Sequence, residues 1–473
     1  MFGVHKFVST ISGSGWLKVN TLGILPYMKI LFFRQSHSAL IFIFLTVAVA
    51  SAQIKLVPHK ITLKSGKTFN LNAPTEFEII PAAEGLKRVR FFAKAPDGRI
   101  FVTDMYNLTD NKRGAVYILD EFDLNTGKFT KVTPYMTGLR NPNSVQFYTD
   151  ADGQDWLYLA ETDKLTRRKF TRGETKPTDK TPQTLATFPD YGLSYKYGGW
   201  HLTRTIALGP NGKLYIAVGS SCNACVEKEK VRASVIEMNP DGGDQREFAR
   251  GLRNAVGLKW IGNFLWAANQ GADHLGLNKP DETFYALKDG TDYGWPYCYS
   301  SNGKIFADPK FKRPNGCSGV AAPYAFFPAH SSSLGFDHFD DPQSPDAIRN
   351  AFLVSLHGST NKRIGHGYKI VIMRKGEKVQ DFITGFLQRG NVVGRPCDII
   401  KLDANSFLFT DDHTGIVYLV RKKGSMAETP AATPEANSAK AANASPKPAE
   451  PPKKGVCLSF IAMIAAVALR LTV

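Results

Sequence analysis

Between residues 53 and 423 the chain has almost no apolar spacing of helical period, which excludes a fold built on amphipathic helices. It also lacks the local signatures of several common enzymes. There is no Gly-x-Ser-x-Gly elbow, no His-Glu-x-x-His, no phosphate-binding loop and no strand-turn-helix glycine motif. Serine hydrolase, zincin, nucleotide-dependent and Rossmann dehydrogenase chemistries are therefore without their parts. No run of five basic residues interleaved with aromatics occurs, which removes the usual footprint of a nucleic-acid binder. Acids are outnumbered, 42 Asp+Glu against 59 Lys+Arg for a net charge of +17, so a site of two facing carboxylates, as in a glycosidase, is disfavoured. With 43% hydrophobic and 21% charged residues, the chain is not disordered, collagen-like or a coiled coil, and it can build a sizeable core.

Part of the positive charge sits in segments that read as processing signals. Residues 1–52 hold Lys6, Lys18, Lys29 and Arg34 and no acid. Arg34 precedes the apolar run 39–50, and Ala50-Ser51-Ala52 fits the small-x-small rule of signal peptidase, with cleavage before Gln53. Met28 would start a signal of ordinary length, which makes residues 1–27 an over-extended start. The apolar run is shorter than the roughly 20 residues a bilayer needs, so removal is favoured over anchoring. At the other end a Pro-, Ala- and Lys-rich linker, residues 424–455, leads into an apolar tail, residues 456–473. Asn443-Ala444-Ser445, a polar spacer and then the tail follow the order of a GPI-attachment signal, with Asn443 as the attachment site; a tail-anchored helix is the alternative. Either arrangement places the protein outside the cell, held at a membrane surface. Setting aside residues 1–52 and 444–473, which carry four and three net positive charges, leaves +10.

Six cysteines are few for this length, and one of them, Cys457, lies in the tail. An oxidising compartment favours pairing of the rest, and Cys298 with Cys317 would staple one loop. Cys222-Asn223-Ala224-Cys225 could serve as a zinc knuckle, a redox pair or a short structural disulfide. With no second Cys-x-x-Cys, and Val226 where a haem motif needs His, the disulfide fits best. Asn107-Leu108-Thr109 is a glycosylation sequon, in keeping with export.

What the chain does contain is one pattern six times over: an apolar strand, a tight turn, and a second strand. It occupies residues 91–104 (FFAKAPDGRIFVTD), 144–161, 205–220 (TIALGPNGKLYIAVGS), 256–271 and 397–412. The sixth copy is stretched, with SLGFDHF at 333–339 and AFLVSLHG at 351–358 separated by a Pro/Asp-rich insertion. Gly-Leu-Arg-Asn opens two of the units, at Gly138 and Gly251. The turns recur about every 50 to 60 residues, or about 80 across the insertion, a period suited to four-stranded blades with functional loops. The predicted fold is all-β: a six-bladed β-propeller with four-stranded blades, forming one domain over residues 53–423. A pair of β-sandwiches would not explain one turn pattern used six times.

In each hairpin the residues just before the first strand and just after the second lie at the same end, opposite the turn. These positions are polar in every unit. They hold Arg90 with Asp104; Asn141 and Asn143 with Glu161; His201 and Arg204 with Ser221; Arg253 and Asn254 with Asn269 and Gln270; His330 with His357 and Lys362; and Arg395 with Asp411, Asp412 and His413. Around one axis they would form the mouth of a binding site. Clustered cations and amides around a neutral His suit a polyanionic cofactor and proton abstraction from an alcohol.

Several of these segments carry a family likeness: YGGWHLTRTIALGPNGKLYIAVGSSCNAC from Tyr197, GLRNAVGLKW from Gly251, PDETFYALKDGTDYGWPYCY from Pro280, HGSTNK from His357 and GRPCDI from Gly394. Together they resemble the soluble glucose/sorbosone dehydrogenase family, six-bladed propellers dependent on pyrroloquinoline quinone (PQQ), and most of all its fungal pyranose dehydrogenase type. The resemblance runs in order from about Leu86 to Arg421. It implies a calcium- and PQQ-dependent oxidoreductase that oxidises the anomeric carbon of a pyranose or related sugar. His201 would be the general base. Arg253 and Asn254 would lie by the quinone oxygens, with Gln270 beside them at the mouth, and the carbonyls of Gly271 and Ala272 would bind calcium, Ala272 standing where the family more often has Pro. Lys362 and Arg395 would pair with PQQ carboxylates. Asp281 resembles the family's acidic residue near the sugar, and Tyr293 and Trp295 would line the site or pack a blade corner.

Reduced PQQ would then need a separate electron acceptor, an extracellular cytochrome or a copper oxidase, because the chain has no haem motif. Two rivals stand beside this expectation. One is a calcium-dependent six-bladed lactonase, which would want Asp, Asn and Glu side chains from several blades on its metal. The other is a surface-anchored propeller that binds without catalysing.

Overall fold

The computed structural model describes residues 53–189 and 201–425. Residues 1–52, where an export signal is expected, residues 197–200 of the long motif, and everything from residue 426 on, including Asn443 and the apolar tail, lie outside the described residues. Within them the regular elements are strands, apart from one three-residue 3-10 turn at Asp273–Leu275.

Six antiparallel sheets follow one another along the chain. Blade I is Val89–Lys94, Ile100–Asp104, Gly114–Asp123 and Lys128–Leu139; blade II runs from Ser144–Thr149 to Gln183–Thr187. Blade III runs from Arg204–Leu208 to Arg246–Arg250, blade IV from Ala255–Ile261 to Ala325–Phe327, and blade V from Ser333–Phe339 to Gln380–Ile383. Blade VI takes Pro396–Lys401, Ser406–Asp411 and Ile416–Lys422 from the end of the chain and its outermost strand, Phe77–Ala83, from the beginning. Each innermost strand packs against the next, and that of blade VI returns to that of blade I, so the ring is closed. The six sequence hairpins are the two innermost strands of the six blades, as expected.

The sequence makes these strands for a visible reason. Second strands such as Leu214–Val218 (LYIAV) and Ala351–Leu356 (AFLVSL) are buried at every position, because both faces of a blade are covered by its neighbours. Their runs are accordingly apolar throughout instead of alternating. Apolar clusters therefore lie between blades. One joins Phe101 and Val116 of blade I to Val145, Phe147 and Leu157 of blade II; another joins Tyr215 and Val235 of blade III to Leu258 and Leu265 of blade IV. The hairpin turns need a left-handed residue, which Gly98 (φ 86°) and Gly212 (φ 74°) supply.

Three features were not anticipated. An extra hairpin, Leu56–Thr62 with Thr68–Pro74, precedes the first blade and bridges from Asn72 to Thr384 beside blade V. Blade III gains a fifth strand, Thr291–Asp292, parallel to Ala249–Arg250. In four blades the innermost pair slips register near its start, between Val89 and Phe92, Ala255 and Gly257, Ser333 and Phe336, and Pro396 and Ile399. Such bulges re-aim side chains next to sites. Here they bring Phe91, Val256, Leu334 and Cys397 together as a small buried apolar cluster, which forms a floor beneath the mouth. Below that floor a cavity of about 250 Å³ continues along the innermost strands.

Candidate active site

At the mouth end, most of the acids found in the sequence are spent on the fold. Asp104 accepts the backbone N–H groups of Lys87 (2.7 Å), Arg88 (2.9 Å) and Tyr106 (2.7 Å). Glu161 accepts from Arg140 N–H at 2.7 Å, and Asp411 from Arg395 N–H at 2.8 Å and the Thr414 hydroxyl at 2.6 Å. In blade IV an amide does the same work, with Asn269 Oδ1 accepting Asn254 N–H at 3.0 Å. In these blades the residue that ends the second strand thus ties down the chain entering the first.

His201 enters blade III in the left-handed region, φ 50°. Its Nδ1 lies 2.9 Å from the Ser220 carbonyl and 3.0 Å from Ser220 Oγ. The carbonyl can only accept, and the Ser220 hydroxyl already donates to Cys222 O at 2.7 Å. Nδ1 therefore carries the hydrogen, and Nε2 holds the lone pair. Burial first, then the charges of Arg253, Arg204 and Arg232, hold this imidazole well below the ordinary histidine range, so it is neutral at physiological pH. Gly219 lies between it and the next group: a Cβ there would meet Asn254 Oδ1 and His201 Cβ, each at 2.5 Å.

Asn254 donates to Gln270 Oε1 at 2.8 Å. Arg253, buried at 4% exposure, directs Nε to Asn223 O (2.8 Å) and Nη2 to Asn223 Oδ1 (3.0 Å), while its Nη1 makes no hydrogen bond among the described residues. Arg253, Gln270, Gly271, Ala272, Tyr293 and Trp295 line one pocket. The indole N–H of Trp295 is buried without a partner among the described residues. The Gly271 carbonyl takes no hydrogen bond among the described residues, and Ala272 is the N-cap of the Asp273–Leu275 3-10 turn.

Across the mouth, Arg395 donates to Gly358 O (2.8 Å), Ser359 O (3.1 Å) and Tyr368 OH (3.1 Å), and lies 4.7 Å from the Tyr368 ring centre. His357 Nε2 meets Asp412 Oδ1 at 2.7 Å, and the other Asp412 oxygen binds Arg90 at 2.7 Å. His357 and the two arginines Arg90 and Arg88 hold the buried Asp412 carboxyl far below the usual carboxylate range, against the cost of burial. Arg90 goes on to Asn143 Oδ1 (3.1 Å), and Asn143 to Thr205 Oγ1 (3.0 Å), so a polar chain links blades V, VI, I, II and III. The sequence marked its members, but their pairing across blades only follows from closure of the ring.

The remaining candidates are engaged in local contacts or exposed, although Asp281 and Tyr293 line the same pocket as Arg253. Lys362 is exposed on a turn. Asp281 spends both oxygens on its own loop, accepting from Ser300 Oγ (2.7 Å), Asn302 N–H (3.1 Å) and Gly303 N–H (2.9 Å). The Tyr293 hydroxyl accepts Lys288 N–H at 2.9 Å, and its ring packs on Tyr285 at 4.6 Å in a blade corner. His330 contacts Asp273 at 3.0 Å. Both expected disulfides, Cys222–Cys225 and Cys298–Cys317, are formed, and Cys397 is a buried free thiol. Asn223, which orients Arg253 from within the first disulfide loop, had no signal in the sequence beyond lying between two cysteines.

The donor set suits PQQ and a hard cation: a guanidinium with an unused Nη1, an orphaned indole N–H, a second arginine opposite, and the unbonded Gly271 carbonyl beside that of Ala272. No family model matches the chain. An uncharacterized protein of Borreliella burgdorferi is 26% identical over 376 residues, 75% of this chain and 91% of that protein. Among solved structures, the holo form of the pyranose dehydrogenase PQQ domain from Coprinopsis cinerea superposes with a TM-score of 0.61 at 18% identity, covering 74% of this chain and 97% of that one. A calcium structure of a Trichoderma reesei family AA12 carbohydrate-active enzyme gives 0.60 at 17%, covering 74% and 96%. The PQQ-bound aldose sugar dehydrogenase of Streptomyces coelicolor gives 0.51 at 16%, covering 74% and 99%. The chain thus shares the six-bladed propeller fold of these solved structures.

Proposed function

We propose that the protein is an extracellular oxidoreductase that oxidises an alcohol or anomeric carbon of a sugar with PQQ and calcium. The observation that carries this reading is His201: Ser220 fixes its tautomer and its surroundings keep it neutral, beside the buried guanidinium of Arg253. His201 Nε2 takes the hydroxyl proton of the sugar. Arg253, through Nη1, with Asn254 and Gln270 would hold the quinone side of the cofactor, Arg395 and Lys362 would pair with its carboxylates, and the Gly271 and Ala272 carbonyls would hold calcium. When bound, PQQ supplies the two-electron acceptor that the chain itself lacks. The apolar cluster of Phe91, Val256, Leu334 and Cys397 bounds the site from beneath.

A lactonase needs side-chain acids on its metal, and here Asp104, Glu161 and Asp411 are committed to backbone N–H groups. Two disulfides and the sequence signals support an extracellular place, held by a GPI anchor at Asn443, with a separate acceptor for the electrons. The purified protein, loaded with PQQ and calcium, should show the absorbance change of reduced quinone when aldoses are added. His201→Ala should bind PQQ equally and lose reduction by about a thousandfold. Absence of PQQ binding would overturn the reading, and binding without reduction by any sugar would leave a binding protein.

A further inference from the structure

The four-residue loop Cys222-Asn223-Ala224-Cys225 contacts both Ser220, which orients His201, and Arg253. Its first carbonyl, Cys222 O, accepts the Ser220 hydroxyl at 2.7 Å, and that hydroxyl oxygen is one of the two acceptors facing His201 Nδ1. Asn223 takes two N–H groups of Arg253, at 2.8 and 3.0 Å, and its Oδ1 also accepts the backbone N–H of Asp273 at 2.9 Å, the residue next to Ala272. On the far side Glu227 closes the loop, accepting Ser221 N–H at 2.6 Å and the Ser221 hydroxyl at 2.7 Å. The four-residue loop holds one asparagine in register with three donors of blade IV, and joining its ends restricts the conformations open to it.

We propose that the Cys222–Cys225 disulfide is a clamp with Asn223 as a positioning residue for Arg253, and that thiol reductants open it. This inference rests on the PQQ dehydrogenase reading only for its consequence in catalysis. The clamp itself is a property of the apo-protein. Opening is thiol–disulfide exchange: a dithiol's thiolate bonds to one sulfur, the Cys222–Cys225 bond breaks, and the second thiol completes the exchange. Two protein thiols and an oxidised reductant remain. Both cysteines are partly exposed, which leaves the disulfide open to a small reductant. Once Asn223 is released, Arg253 keeps, among the described residues, the 3.9 Å contact to Asp273, whose carboxylate is 59% exposed, and the attraction of the buried Glu282.

The charged groups facing His201 are Arg253, Arg204 and Arg232, and departure of the first weakens the field on the imidazole. The test follows the His201 ring by NMR in the full-length apo-protein, with the resonance assigned by its loss in His201→Gln. In Asn223→Ala and in Cys222→Ala/Cys225→Ala, the His201 midpoint should rise by about half a unit or more, while the denaturation midpoint shows each variant folded. Wild type reduced with a dithiol, alkylated and desalted should match the double variant. After loading with PQQ and calcium, Asn223→Ala should lose about tenfold in kcat with the sugar KM unchanged. An unchanged His201 midpoint in the folded Asn223→Ala protein overturns the clamp whatever the cofactor does. A raised midpoint in a protein that never binds PQQ upholds the clamp and overturns the function instead.

Discussion

In the proposed reaction a base must be uncharged and aimed before it meets an alcohol, and at His201 two different groups would do these jobs. Ser220 aims the ring through Nδ1, and burial with Arg253 and Arg204 discharges it. Because the pKa of the folded form is depressed, His201 stays a competent base below the ordinary histidine value of about 6.5. The rate of quinone reduction should therefore hold as pH falls through about 6.5 and drop only at a lower pH; a fall centred on 6.5 would show a solvated imidazole. The same depression costs stability on acidification. The unfolded chain takes up a proton at about 6.5 that the folded site refuses, so the contribution of His201 declines from there down to its folded pKa. His201 and Arg253 were legible because their motifs are long and continuous in the sequence. The role of Asp412 was not, because its partners His357 and Arg90 lie 55 and 322 residues away and meet it only in the closed ring.

Among the strands, the recurring device is the polar residue that ends the second strand and binds backbone ahead of the first. Asp104 and Asp411 perform it in blades I and VI, but only Asp411 grips a residue of the mouth, through Arg395 N–H. Each is almost wholly buried, at 2% and 0% exposure, and each satisfies several N–H groups that would otherwise be orphaned. Asp104→Ala and Asp411→Ala should each lower unfolding stability by about 2–3 kcal/mol in a denaturant titration. Only Asp411→Ala should also weaken PQQ binding. Equal loss of binding in both variants would mean that Arg395 is not held by this contact. The hairpins were readable from turn chemistry and unbroken apolar runs. The bulges that place Phe91, Val256, Leu334 and Cys397 on the floor were not, since register depends on the neighbouring blades as well as on the strand. The same dependence hid the hairpin Leu56–Thr62 with Thr68–Pro74, whose mixed polar strands find their partner at Thr384.

For the whole molecule, stability hinges on a strand that the chain makes before any blade is complete. Phe77–Ala83 pairs with Ile416–Lys422, joining the first described strand of the ring to the last, and Glu78 binds Arg421 at 2.6 Å across that seam. Phe77 is fully buried and meets the Phe382 ring edge-on at 5.6 Å, so the seam also reaches the core of blade V. Burial of Phe77 and Ile79 together is worth about 3–6 kcal/mol, a large part of the 5–15 kcal/mol typical of a whole domain. Deleting residues 53–74 removes only the leading hairpin and should leave a folded propeller with a lowered melting temperature. Extending the deletion through Ala83 should abolish the cooperative transition, because blade VI then presents an unpaired edge and blades I and VI lose their covalent tie. Moving that strand to follow Ser425 should restore the transition, since the pairing is antiparallel and needs only a turn. A deletion through Ala83 that melts as sharply as the shorter one would show that the ring is held by its inter-blade clusters and not by this seam.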